Sequence, residues 1–154
     1  MHDSEIQTLI KALDTTKSLD AEAAWSQLRP VGIAVVPHLA NFYPRAKKWQ
    51  GRAWLIYQAI PYSRVLEDAF QLGLNALNDK SSIVRHRACS LCAYSLRHEA
   101  IPMLKTLFGH KDQKTVEDAR AAIDSIQHQN HNYFHDRMHS GSVTWEVNLE
   151  DRQV

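Results

Sequence analysis

The chain has 154 residues, 44% apolar and 23% charged, with 18 basic against 17 acidic side chains and a net charge of +1. That length suits one domain able to remove roughly 70% of its unfolded surface from water. The near-neutral balance excludes a globally basic nucleic-acid module, a supercharged acidic inhibitor and a disordered tail. Five glycines and five prolines, sparse against usual frequencies of about 7% and 5%, disfavour a turn-rich β fold and favour helices.

The start, Met1-His2-Asp3-Ser4-Glu5, is acidic and leads into an amphipathic segment, unlike a signal peptide. The longest apolar stretch, 31–42, is interrupted by Pro37, His38 and Asn41 and falls short of the roughly 20 residues of a membrane span. Two cysteines are too few for a disulfide framework. The expectation is a soluble, cytoplasmic protein with no membrane association.

Ile6, Leu9, Ile10 and Leu13 repeat at helical spacing and predict a first helix from Ser4. Asp20 is a plausible N-cap for a second, ending before Arg29-Pro30. A third is predicted over 31–42, broken by Tyr43-Pro44, and a fourth over 45–60, stopped by Pro61. Ser63 should cap a fifth reaching Asn78, with Val65, Leu66, Ala69, Phe70, Gly73, Leu74 and Leu77 as its apolar stripe. A sixth follows to Arg97, a seventh spans 98–108 with Gly109 as its C-cap candidate, and an eighth spans 112–129.

Eight helices with short breaks describe stacked helical hairpins. Segments starting at Trp49, Val84 and Val116 align Ala53 with Ala88, and Ile56 with Leu91 and Ile123. A weaker copy uses Ala21, Ala24 and Leu28, and Val36-Pro37-His38-Leu39 echoes Ile101-Pro102-Met103-Leu104. With Leu77-Asn78-Asp79-Lys80-Ser81-Ser82-Ile83-Val84-Arg85-His86-Arg87-Ala88, an acidic turn followed by Val-Arg and a small residue, the chain resembles the HEAT-like helical-repeat family over about 19–129. The resemblance implies an all-α, α-α superhelix of about four hairpins, with second helices lining a concave face. The chain resembles the small bacterial type of HEAT-like protein.

Past Gln129 the pattern changes, dividing the chain into a helical-repeat domain, 1–129, and a tail of the same domain, 130–154. Segments 131–137 and 143–147 read as two strands around His139-Ser140-Gly141-Ser142, a short C-terminal β-hairpin. A lone hairpin is marginal in water, so it should cap the last repeat through Tyr133 or Phe134, with Trp145 and Val147. The competing reading gives Arg137, His139 and Trp145 to a ligand.

Candidate chemistry is sparse. Cys89-Ser90-Leu91-Cys92 lies mid-helix and reads as core rather than a redox or zinc motif. His98-Glu99 matches the dipeptide that, in the HEAT-like deoxyhypusine hydroxylases, holds two irons, but it occurs once. His128, His131, His135 and His139 read as solvated or hairpin-paired imidazoles, with a metal cluster including Asp136 as the alternative. With no Gly-rich phosphate loop, serine elbow or paired-carboxylate motif, no enzymatic activity, resident metal or cofactor is expected.

Charge by segment is more informative than the total. Residues 1–22 carry −3, 23–66 carry +6, 67–129 balance, and 130–154 carry −2. Arg45, Lys47, Lys48, Trp49 and Arg52 form a basic-aromatic patch within a stretch that also holds Phe42, Tyr43, Trp54, Tyr57, Tyr62 and Arg64. Such a patch suits an acidic protein surface or a nucleic-acid backbone; it is also what inter-hairpin aromatics with a solvated rim look like. The family's concave face would hold His38, Asn41, Arg64, Asp68, Gln71, Asn75, Met103 and Thr106. The expectation is a non-enzymatic protein-binding module, an adaptor or inhibitor such as a toxin-neutralising immunity protein, whose partner is acidic. The alternative binds nucleic-acid backbone through 42–64, as a resemblance to the HEAT-like DNA glycosylases implies. A lyase like the HEAT-like phycobilin lyases has only repeat similarity behind it.

Overall fold

A computed structural model describes residues 1–152. Among them are eight α-helices: α1 (Asp3–Ala12), α2 (Ser18–Leu28), α3 (Val36–Phe42), α4 (Trp49–Ala59), α5 (Glu67–Ala76), α6 (Ser82–Ser95), α7 (Ile101–Lys105) and α8 (Gln113–Gln127). None is long and apolar enough to cross a membrane. The fold is all-α, as the periodicity predicts, and each helix packs on its neighbours. α1 lies against α2 and α3, α3 against α4 and α5, and α4 against α5 and α6; α6 then packs on α8, as does α7. One contiguous core runs through them from Ile6 to Phe134.

Several helices start later than the sequence predicts, for identifiable reasons. Residues 29–35 form a 3₁₀ turn with Gly32 at φ +71°, so α3 begins only at Val36, with Pro37 in its first turn. The Asp14 carboxylate accepts the backbone N–H groups of Lys47 and Lys48, both at 2.9 Å. That holds residues 46–48 extended and delays α4 to Trp49. Ser63 is buried and donates its hydroxyl to the Ile60 carbonyl, so α5 starts at Glu67 without it. Ser81 and Asp112 do cap α6 and α8, accepting from Val84 and Lys114 N–H groups.

The seat of Asp14 requires Gly51. A Cβ there would lie 2.6 Å from the Asp14 Cα and collide with its carboxylate. Gly51→Ala is therefore expected to cost about 1–3 kcal/mol by forcing the 13–17 loop off α4. Gly109→Ala, which meets open space, should stay within about 0.5 kcal/mol. Urea midpoints of the two variants check this; equal midpoints would remove Gly51 as the reason for the close approach.

Two Arg–Asp ion pairs, the first buried and the second half-buried, recur along the chain. Arg52 of α4 meets Asp79 in the turn before α6, and Arg85 of α6 meets Asp112 in the turn before α8. Partners are 27 residues apart in both cases. The pairs therefore repeat every 33 residues, two fewer than the 35 of the apolar alignment of Ala53 with Ala88.

The tail corrects the predicted β-hairpin: no strand occurs among the described residues. The tail holds two 3₁₀ turns, His131–Phe134 and Leu149–Asp151. Backbone donors that a ladder would use go to side chains instead. Asp136 accepts from the Ser140 and Gly141 N–H groups, Asn132 from Trp145 N–H, and Asp151 from Val147 and Asn148 N–H. The tail still docks through its apolar residues: Phe134 is fully buried, and Trp145 and Val147 pack against the core.

Candidate functional site

The helix starts described above place the aromatic part of the basic segment along one side of α4. Trp49, Ala53, Trp54 and Tyr57 face Ile83 and Arg87 of α6, with Thr15 and Thr16 of the α1–α2 loop closing one end. The cleft holds about 290 Å³. It opens into a shallower hollow of about 740 Å³ bordered by Lys47, Lys48 and Lys80. Among the described residues, neither is lined by a carboxylate. Trp49, Tyr57 and Ile83 are 42%, 52% and 44% exposed, so three large apolar side chains converge here without cover. Trp54 meets Tyr57 edge-on, ring centroids 6.4 Å apart.

Arg87 is the cleft's unusual charge. Its guanidinium lies 4.6 Å from the Tyr57 ring centroid and, among the described residues, pairs with no carboxylate. Burial pushes its pKa down, so its charge is held with less solvation than a free arginine enjoys.

Arg52, expected in the basic patch, is withdrawn from it. Its Nε and Nη2 donate to the two Asp79 oxygens at 2.8 and 3.1 Å, and its Nη1 to the Lys47 carbonyl. Asp79 also accepts from Tyr43 Oη and Ser81 N–H. Burial alone would raise the Asp79 pKa, but the bonds from Arg52, Ser81 and Tyr43 outweigh it and hold the carboxyl below its ordinary range. Arg45 lies away from the cleft, its guanidinium 5.4 Å from the Phe42 ring centroid. Lys47, Lys48 and Trp49 are exposed.

The second-helix candidates separate. Asp68, Gln71 and Asn75 are exposed on α5, beside α3 with its half-buried His38 and exposed Asn41. His38, Asn41 and Arg45 border a crevice of only about 10 Å³, room for at most one water. Met103 and Thr106 are exposed at the end of the chain's helices that packs on α8. Arg64 is committed elsewhere: it donates to the Tyr94 carbonyl at 2.7 Å, pairs with His131 Nδ1 at 3.0 Å and lies 3.9 Å over the Tyr94 ring.

The tail candidates also face their own chain. Arg137 bonds Asp118 at 2.8 Å and the Phe134 carbonyl, and His139 meets Asp124 at 2.5 Å while stacking on Tyr133. Trp145 sits against Tyr94, His131 and His135. No three His, Cys, Asp or Glu side chains converge in a metal-holding group among the described residues. Cys89 and Cys92 are fully buried with free thiols, and burial pushes the Cys92 pKa up to about 12 and the Cys89 pKa higher than usual. Both are therefore poor nucleophiles.

Sequence reasoning missed Lys80, Ile83 and Arg87. Their signal was weak, because Lys80 and Arg87 fall in the charge-balanced segment 67–129, where isolated charges look like any solvated rim. Comparison of the chain with protein-family models, curated proteins and solved structures finds no match.

Proposed function

We propose that the chain is a non-enzymatic, HEAT-like helical-repeat module that binds an acidic protein through the α4–α6 cleft and its lysine rim. One observation carries the reading: an uncovered aromatic cleft that adjoins a hollow bordered by Lys47, Lys48 and Lys80, with no carboxylate lining either among the described residues. Interfaces favour aromatic anchors inside a polar rim, and complementary charge selects the partner. Among the described residues the cleft offers indole, phenol, guanidinium, amide and hydroxyl groups but no carboxylate or imidazole as a general base, which favours binding over catalysis. The recurring Arg–Asp pairs support a repeated hairpin unit and hence an α-α superhelix. An adaptor or inhibitor fits such a surface, a toxin-neutralising immunity protein being one instance.

The test is titration with an oligoglutamate peptide and with single-stranded DNA at about 50 mM salt, where phosphate contacts are strong. The expected result is binding of the peptide, weakened about tenfold when Lys47, Lys48 and Lys80 become glutamate, at up to about 1 kcal/mol for each exposed pair. Helicity by circular dichroism should stay unchanged. Tighter binding of the DNA would replace this reading with nucleic-acid recognition.

A further inference from the structure

The lysine rim and the cleft present different chemistries, and Arg87 separates them. A rim of ammonium groups selects for negative charge without selecting its geometry. The cleft is built otherwise. Its volume of about 290 Å³ lies at the lower edge of the roughly 300–1,000 Å³ of pockets that enclose a ligand. It is walled by Trp49, Trp54, Tyr57 and Ile83 from two helices. A guanidinium offers planar, paired donors that match a single carboxylate, and Arg87 keeps them uncommitted against Tyr57.

Resting on the acidic-partner reading above, we infer that this cleft is a specificity pocket for one large apolar side chain flanked by a carboxylate, presented by an acidic segment of a protein. The apolar side chain fills the space between Trp49, Tyr57 and Ile83. The neighbouring carboxylate pairs with Arg87, and further acidic residues run out over Lys47, Lys48 and Lys80. Arg87 is then the anchor that distinguishes an acidic segment with an apolar residue in register from one that is merely acidic. An aromatic anchor desolvated at the centre, with charges at the rim, is the arrangement in which a few residues dominate affinity. A nucleic-acid strand fits less well, because the edge-on Trp54 and Tyr57 rings do not form a flat stacking platform.

The probes are acetylated, amidated pentapeptides, Asp-Glu-Phe-Asp-Glu and Asp-Glu-Ala-Asp-Glu, titrated calorimetrically into the full chain at about 50 mM salt. The phenylalanine peptide should bind about tenfold more tightly than the alanine one. R87Q should remove that advantage while leaving the alanine peptide's affinity unchanged. W49A, altering an exposed wall, should do the same, with circular dichroism verifying that both variants stay helical. Equal affinity for the two peptides, or an advantage that survives both substitutions, would overturn the pocket while leaving the acidic-partner reading in place. Loss of binding to both peptides would overturn both. 3-Phenylpropionate binding as tightly as the phenylalanine peptide would show a small-acid site instead of a protein-docking one.

Discussion

Asp79→Ala is expected to destabilise the fold by about 3–5 kcal/mol, because it leaves the buried Arg52 guanidinium without its bidentate partner. It also removes the acceptor for Tyr43 Oη and the Ser81 N–H. Against a typical total stability of about 5–15 kcal/mol, that loss should appear as a large fall in the urea midpoint. Replacing both Arg52 and Asp79 with leucine should recover much of it, since no unpaired charge then remains buried. A single-variant midpoint near wild type would mean that the pair is solvated in solution.

The same pair fixes the sign of a pH effect. The Asp79 carboxyl titrates below its ordinary range in the folded state, so its stabilising contribution is complete above the unfolded carboxylate pKa, about 3.9. It is lost as pH falls through the lower folded value. Asp118 and Asp151 act in the same direction: burial would raise both, but bonds from His86 and Arg137 to the first, and from Asn148, Tyr94 and Val147 to the second, hold them down. Stability should therefore fall steeply below about pH 4, and an Asp79→Asn variant should show a shallower fall than wild type.

Phe134→Ala is the second large effect, also expected to cost about 3–5 kcal/mol. The ring is fully buried, lies 5.5 Å from the His86 ring and 5.0 Å from the Arg137 guanidinium, and seats the first turn of the tail. At about 2–4 °C per kcal/mol for a chain of this size, the melting temperature should drop by roughly 6–20 °C. Met138→Ala, at a residue 90% exposed, should move it very little. Similar melting temperatures for the two variants would show that the tail contributes little to the fold.

Helix content was legible because the apolar stripes of α1, α5 and α8 are dictated by each segment's own spacing. Boundaries were not, where a distant residue sets them: nothing near Lys47 announces that Asp14 takes its N–H. The tail misled for a related reason. Val143, Trp145 and Val147 alternate as a strand would, but Val143 is exposed and the alternation does not say where backbone donors go. In the site, Lys47, Lys48 and Trp49 were legible as an exposed basic-aromatic run. Arg52 was not separable from them, since its partner lies 27 residues on. Arg64 was read as a groove residue because its tail partner, His131, is 67 residues away.

The tail's far end has one more consequence. Asn148 donates to the Pro61 carbonyl and to Tyr94 Oη, and Tyr94 Oη donates to Asp151. A stack of helices that touch only their neighbours frays from whichever end is weaker. Here residues 148–151 return to Tyr94 of α6 and to Pro61 in the turn between α4 and α5. These bonds tie the segment that follows α8 back to α6 and to the turn before α5, coupling residues 61–151 into one cooperative unit. The first four helices lie outside it, and fraying is directed to that end, away from the α6 wall of the cleft.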